Sequence, residues 1–214
     1  MTSSPPLVDH PTRGSLIRWA KLYDKAVGVI SLGREETMRQ GILTRAALRP
    51  GERVLDVGCG TGTLAIRAAG EGSEVIGIDP AAKMVERSRM KAAEAGSSAR
   101  FQVGVAENLA FEDESFDVVL CTLVLHHLPP GMQDDCLKEM ARVLRRQGRL
   151  ILVDFSGPGP LLHRVGGLFR SHEHTHGTQD HLAERLLRLG FAGADRTPLE
   201  PSYLFCLVAH KSGS

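Results

Sequence analysis

From residue 54 onward the chain alternates short apolar runs with longer segments whose apolar residues recur every three or four positions. Val54–Val57, Glu74–Ile78, Arg100–Val105, Phe116–Cys121 and Arg149–Asp154 read as strands. Leu64–Ala69 and a stretch from about Ala81 to Ala95 read as helices between them. Leu137, Met140, Ala141 and Leu144 follow i, i+3, i+4, i+7 spacing and predict a helix over Asp134–Leu144, stopped by Gly148. Near-continuous apolar strands separated by helices predict a parallel sheet covered on both faces. Asp180–Leu189 predicts a further helix, and Ala194–Leu199 and Tyr203–His210 two further strands. Their short link, Glu200-Pro201-Ser202, suits an antiparallel hairpin.

Outside that rhythm the pattern changes. Residues 1–14 are rich in Pro, Ser and Thr, and Ser15–Leu48 is helical in pattern. Leu16, Ile17, Ala20 and Tyr23 share one face there, and Met38, Ile42 and Ala46 another, with a break at Gly33. The predicted organisation is a lead-in and helical cap over 1–48 and a main domain over 49–214. A glycine-bearing insertion at about 156–178 contains a short helical stretch, Leu161–Phe169.

Composition narrows the function classes. The 214 residues carry a net charge of +1, so no global electrostatic case exists for nucleic acid. Cys59, Cys121, Cys136 and Cys206 form no CxxC pair, which argues against a disulfide framework and a zinc site. No signal-peptide pattern and no apolar stretch of about 20 residues is present, and the expected location is cytoplasmic.

The densest motif is Val54-Leu55-Asp56-Val57-Gly58-Cys59-Gly60-Thr61-Gly62-Thr63. A strand ending in glycines and feeding a helix lets a ligand approach backbone N–H groups. The dinucleotide fingerprint needs Gly or Ala where Thr63 stands, and no GK[ST] follows for a phosphate loop. Asp56, two residues before the first glycine, suits a cationic ligand rather than a pyrophosphate. Asp79, about 20 residues beyond the glycines, stands where a carboxylate accepts ribose hydroxyls; charge at a helix start before Pro80 is the lesser alternative.

Residues 50–155 resemble the class I S-adenosylmethionine-dependent methyltransferases, specifically the small-molecule group of the ubiquinone/menaquinone-biosynthesis type. The matching segments are VLDVGCGTG (54–62), VIGIDPAAKMVERSR (75–89), VGVAENLAFEDESFDVVLC (103–121), LVLHHLPP (123–130) and VLRRQGRLILVDF (143–155). The resemblance implies an α/β, Rossmann-like three-layer sandwich with a mostly parallel seven-stranded sheet and an antiparallel C-terminal hairpin. It implies S-adenosylmethionine as cofactor, with Gly58, Gly60 and Gly62, and Cys59 between them, cradling its methionyl and adenosyl parts. Asp56 would sit near its amino end and Asp79 on its ribose. Pro80 and Met84 would pack near the adenine, Ala106 would meet the adenine edge by its backbone, and the Cys121 backbone would lie beside the methionine. Relatives commonly have Asp where Val105 stands; either Glu107 takes that role or backbone and packing hold the adenine. Tyr23 is a candidate cofactor or acceptor contact, with core packing as the alternative.

The expected reaction is methyl transfer to a small, lipophilic or aromatic acceptor. His126 and His127, after the fourth strand, are the general-base candidates, since a neutral imidazole titrates near physiological pH. The alternative for them is shaping the turn. His172, His174 and His176, with His163 and His181 nearby, open three readings: substrate pocket, solvated loop or metal. The absence of HExxH spacing weighs against the last, and no metal is expected. Two other functions compete. One is phospholipid headgroup N-methylation, with peripheral membrane contact through Ser15–Ile30 and its Arg18, Lys21 and Lys25. The other is a non-catalytic cofactor-binding partner subunit. Nucleic-acid methylation is disfavoured, because Thr122-Leu123-Val124-Leu125 does not match an Asn/Asp-Pro-Pro-Tyr/Phe segment.

Overall fold

The computed structural model describes residues 33–156 and 181–213. Within them, α1 (Glu35–Ala46) precedes β1 (Arg53–Val57), α2 (Thr63–Gly70), β2 (Glu74–Asp79), α3 (Ala82–Glu94) and β3 (Arg100–Val103). β4 (Phe116–Thr122), a 3-10 turn (Leu125–His127), α4 (Pro130–Val143) and β5 (Leu144–Phe155) follow. α5 (Leu182–Arg188), β6 (Phe191–Leu199) and β7 (Leu204–Lys211) complete the order. The seven strands form one sheet, β3-β2-β1-β4-β5-β7-β6. β1 to β5 run parallel, and β7 pairs antiparallel with both β5 and β6.

Period-two alternation explains why the strands read as unbroken apolar runs. Leu55, Val119, Leu150 and Leu152 bury themselves on one face with Leu137 and Met140 of α4 and Leu186 of α5. Their chain neighbours Val54, Val118, Leu120, Ile151 and Val153 turn to the other face. There they meet Ile42 of α1, Ala65 and Ala68 of α2 and Val85 of α3. Both faces are covered, so the middle positions of the central strands are inside positions on either face. Burying one such Leu, Ile or Val stabilises the fold by about 1.5–3 kcal/mol.

α1 belongs to this core rather than standing apart from it. Met38, Ile42, Leu43 and Ala46 are all at most 5% exposed. Arg149 of β5 closes its C-terminal end, donating Nε to Ala46 O (2.5 Å) and Nη2 to Ala47 O (2.9 Å) while pairing with Glu52 (2.7 Å). From the hairpin side, Arg45 donates to Thr197 Oγ1 and Pro198 O, both at 3.0 Å.

Several boundaries differ from the periodicity, among them the starts of β5 at Leu144 and β6 at Phe191. α4 begins at Pro130, where a missing N–H costs nothing, and ends at Val143, well before Gly148. Gly148 lies inside β5, in a bulge where the partner of Phe116 is Leu144 and the partner of Val118 is already Arg149. A Cβ there would stand 2.8 Å from Arg145 O and 2.9 Å from Asp117 O, so the glycine serves the bulge and not a helix end. β3 stops at Val103: Gly104 N bonds Asp79 O, and Val105 turns back to bridge Asn108.

Candidate cofactor and acceptor site

The site is built at the carboxyl ends of β1, β2, β4 and β5, where ligands of open α/β sheets bind. At the end of β1 the chain enters Gly58-Cys59-Gly60-Thr61-Gly62, and all three glycines take positive φ: 69°, 54° and 77°. Two of them are also forced by their protein neighbours. A Cβ on Gly58 would lie 2.4 Å from Val124 Cγ2, and one on Gly62 would lie 2.7 Å from the Phe101 ring and from Ser88 Cβ. The loop is thus pressed between the segment after β4 and the α3–β3 layer.

Asp79, at the end of β2, ties this loop down. Its Oδ2 accepts Gly60 N–H (3.0 Å) and its Oδ1 accepts Ala81 N–H (2.9 Å), so one carboxylate holds both the glycine turn and the start of α3. The bond to Ala81 N–H is the helix-start role of Asp79.

Asp56 is different. It is 2% exposed, and its Oδ2 is buried with no hydrogen-bond partner among the described residues. Burial, and then the charge of Asp79, push its pKa up to about 7. An orphaned carboxylate oxygen in a protein interior is costly unless a donor or cation meets it. Asp56 lines a cavity with Gly58, Cys59, Thr61, Thr122 and Leu123, roofed by Met38, Arg39 and Ile42 of α1. Thr122 Oγ1 is a second buried atom without a partner among the described residues. Leu123 adopts φ 58°, unusual for a branched residue, while its N–H bonds Val153 O at 2.8 Å. Burial and the nearby Asp56 and Asp79 raise the Cys59 thiol well above its ordinary value, so it stays a neutral wall.

The other expected cofactor residues lie along the same end of the sheet but not in this cavity. Met84 is 2% exposed on the inner side of α3, and Pro80 is half-buried. Val105 is 3% exposed, with Ala106 beside it in the tight turn after β3. Glu107 is half-buried, and its charge helps raise the Cys136 thiol on α4, behind burial as the main cause. Arg142 of α4 fastens this turn, donating to Leu109 O (2.9 Å) and Phe111 O (2.8 Å) and pairing with Asp113 and Glu139 (both 2.7 Å). Cys121 is 1% exposed at the end of β4.

The two histidines part company. His126 is 8% exposed, and its Nδ1 lies 2.8 Å from Asp154 Oδ1 at the end of β5. His127 is half-buried, its ring centroid 3.8 Å from that of His126. Phe155 meets His126 edge-on at 4.9 Å and stacks on Tyr203 at 6.2 Å, giving a run of aromatic rings at the end of β5 and the turn after β4. Tyr23, His163 and the His172–His176 cluster lie outside the described residues, and His181 is exposed beside Glu184.

A methyltransferase-domain family matches residues 54–148, from the glycine loop to the β5 bulge. The demethylmenaquinone methyltransferase of Deinococcus radiodurans is 34% identical over 173 residues, 78% of this chain and 70% of that protein. The chain belongs to the S-adenosylmethionine-dependent methyltransferases. The demethylmenaquinone methyltransferase of Beutenbergia cavernae is 36% identical over 149 residues, 70% of this chain, and the chain spans 60% of that relative's length. Among solved structures, magnesium protoporphyrin IX methyltransferase from Synechocystis PCC 6803 with bound SAH is 27% identical with a TM-score of 0.66. That match covers 92% of this chain and 90% of the other. A methyltransferase cofactor, cationic at sulfur and at its amino group, fits what this site offers: a buried carboxylate oxygen awaiting a positive partner, next to a glycine turn.

The sequence reading missed several residues here. Met38, Arg39, Ile42, Thr122 and Leu123 enter the cavity wall, and Asp154 pairs with His126. Met38 and Ile42 carry only a core-helix signal in the sequence, Arg39 carries none, and Asp154 reads as the end of a strand.

Proposed function

We propose that this protein transfers a methyl group from S-adenosylmethionine to a small lipophilic aromatic acceptor of the quinol type. The observation that carries the cofactor half is the buried, partnerless Oδ2 of Asp56 beside the glycine turn. The acceptor half rests on the relatives named for demethylmenaquinone and on the aromatic run of His127, His126, Phe155 and Tyr203.

When bound, S-adenosylmethionine supplies an electrophilic methyl carbon and leaves as S-adenosylhomocysteine, keeping the electron pair of the broken S–C bond. The chain's residues hold, orient and shield. Asp56 would meet the cationic methionyl end, the Gly58–Gly62 turn would pass beneath it, and Asp79 would take the ribose. Pro80, Met84, Ala106 and Glu107 would border the adenine, with the Cys121 backbone beside the methionine and Tyr23 a further contact. α1 gives the cavity an apolar wall through Met38 and Ile42, and a ligand that displaced water there would feel electrostatic effects more strongly. His126 and His127 are the candidate bases for an acceptor proton. No covalent intermediate with the protein is required.

The test uses purified protein, S-adenosylmethionine and dithionite-reduced demethylmenaquinone, with methylated product read by mass spectrometry. Product supports the reading. Binding of the cofactor without product from this quinol, but with methylation of phosphatidylethanolamine vesicles, would replace it by headgroup N-methylation. That alternative rests on Ser15–Ile30, outside the described residues; no helix among the described residues is long and apolar enough to cross a membrane.

A further inference from the structure

The side chain that most needs a reason is Asp154. It is 5% exposed, and its carboxylate accepts three N–H groups: Phe155 N and His126 Nδ1 on Oδ1, at 2.9 and 2.8 Å, and His126 N on Oδ2, at 3.2 Å. The backbone bonds fix the plane of the carboxylate. An ionised carboxylate only accepts, so the third bond requires the proton of a neutral His126 to sit on Nδ1. The basic lone pair is then on Nε2.

Fastening the turn does not call for this ring. His126 N–H already bonds Asp154, and Gln133 Nε2 donates to Leu125 O and Leu128 O, at 3.0 and 3.1 Å, from the α4 side. The buried imidazole–carboxylate contact is therefore additional to the bonds that hold the turn. It lies on the segment that walls the cofactor cavity: Thr122 and Leu123 line that cavity with Asp56, and Val124 packs on Gly58.

We propose that Asp154 is a positioning residue that fixes His126 as the Nδ1–H tautomer, so that Nε2 is the base that takes the acceptor's proton. This rests on the quinol reading above for the acceptor. The step is a proton transfer: the quinol O–H proton moves to His126 Nε2, and the O–H electron pair stays on oxygen as phenolate. Negative charge then reaches the adjacent ring carbon, the atom to be methylated. Asp154 stabilises the imidazolium without itself taking the proton, the arrangement known from Ser-His-Asp enzymes.

The experiment combines a spectroscopic and a kinetic readout on the full chain. Two-bond ¹⁵N–¹H correlation of histidine-labelled protein at pH 8, assigned by loss of the signal in His126→Gln, reports the tautomer without cofactor or acceptor. The expected result is Nδ1–H in the wild type and a shift to Nε2–H in Asp154→Asn. With reduced demethylmenaquinone, Asp154→Asn and His126→Gln are expected to lower kcat about 10²–10⁴-fold. Their calorimetric Kd for S-adenosylmethionine should stay within about threefold, which also certifies the fold. An Nε2–H tautomer in the wild type, or wild-type kcat in His126→Gln, overturns the proposal. If the wild type leaves the quinol unmethylated, the functional reading fails instead, and the wild-type tautomer alone decides the pair. Should Asp154→Asn fail to fold, the wild-type spectrum and His126→Gln kinetics still decide it.

Discussion

Asp56 and Asp79 end adjacent parallel strands, and the buried Asp56 carboxyl, facing its neighbour's charge, has its pKa pushed up to about 7. One carboxylate is satisfied by backbone N–H groups of the glycine turn and of α3, while the other keeps a partnerless oxygen in the cavity. The pair concentrates unfavourable negative charge where a cationic ligand would relieve it.

This relation has a signed consequence for stability. The Asp56 carboxyl has an ordinary value of 3.8 and a folded value of about 7. Its contribution to folding is complete below 3.8 and is lost as the pH rises through about 7. The ligand-free protein should therefore melt at a lower temperature at about pH 8 than at about pH 5 on this account. Asp56→Asn should raise the melting temperature at pH 8 and flatten the dependence, as thermal denaturation across that range can check.

Cofactor affinity should move the other way. Because the ionised form of Asp56 meets the cation, binding of S-adenosylmethionine should tighten from about pH 5.5 to about pH 7 and then level off. Asp56→Asn should weaken it about 10- to 100-fold, the range of a charge-assisted hydrogen bond. Calorimetry that shows equal affinity in the variant would remove Asp56 from the cofactor site.

Gly58 makes a separate, steric prediction. Gly58→Ala sets a Cβ 2.4 Å from Val124 Cγ2 in a left-handed conformation with φ 69°. It should destabilise the protein by about 1–3 kcal/mol. Adding Val124→Ala should recover part of that loss but not all, since the backbone strain remains. A double-mutant cycle from urea melts separates the two terms.

Arg149 couples the far end of the sheet to the cavity. Arg149→Ala frees Ala46 O and Ala47 O and the Glu52 carboxylate, which Arg149 holds below its ordinary value. The expected loss is about 1–3 kcal/mol, smaller in acid because the wild-type ion pair is itself lost as Glu52 protonates. Since α1 carries Met38 and Ile42 into the cavity wall, cofactor affinity should fall as well, although Arg149 touches no part of it. Hydrogen exchange along α1, compared between the two proteins, checks the route.

The fold was legible because it rests on short-range regularities. Period-two burial on both faces makes the central strands apolar throughout, and the glycine turn, Asp56 and Asp79 fall at fixed offsets from β1 and β2. The strand-helix order, the sheet class and the cofactor chemistry follow from such local patterns. Boundaries blurred where a long-range contact decided them: Gly148 reads as a helix stop until Asp117 O lies against it in the β5 bulge.

What the tertiary structure alone decided are the pairings across large separations in the chain. Nothing in the pattern around Asp154 distinguishes it from an ordinary strand end, and nothing around His126 says which of two adjacent histidines is buried. Parallel pairing of β4 with β5 puts the turn after one strand against the last residues of the other, and so brings His126 onto Asp154. In the same way the docking of α1, set by its buried face and by Arg149, places Met38, Arg39 and Ile42 over Asp56. Sequence periodicity reports which face of an element is buried; which residues meet there depends on strand order and register, and these are properties of the assembled sheet.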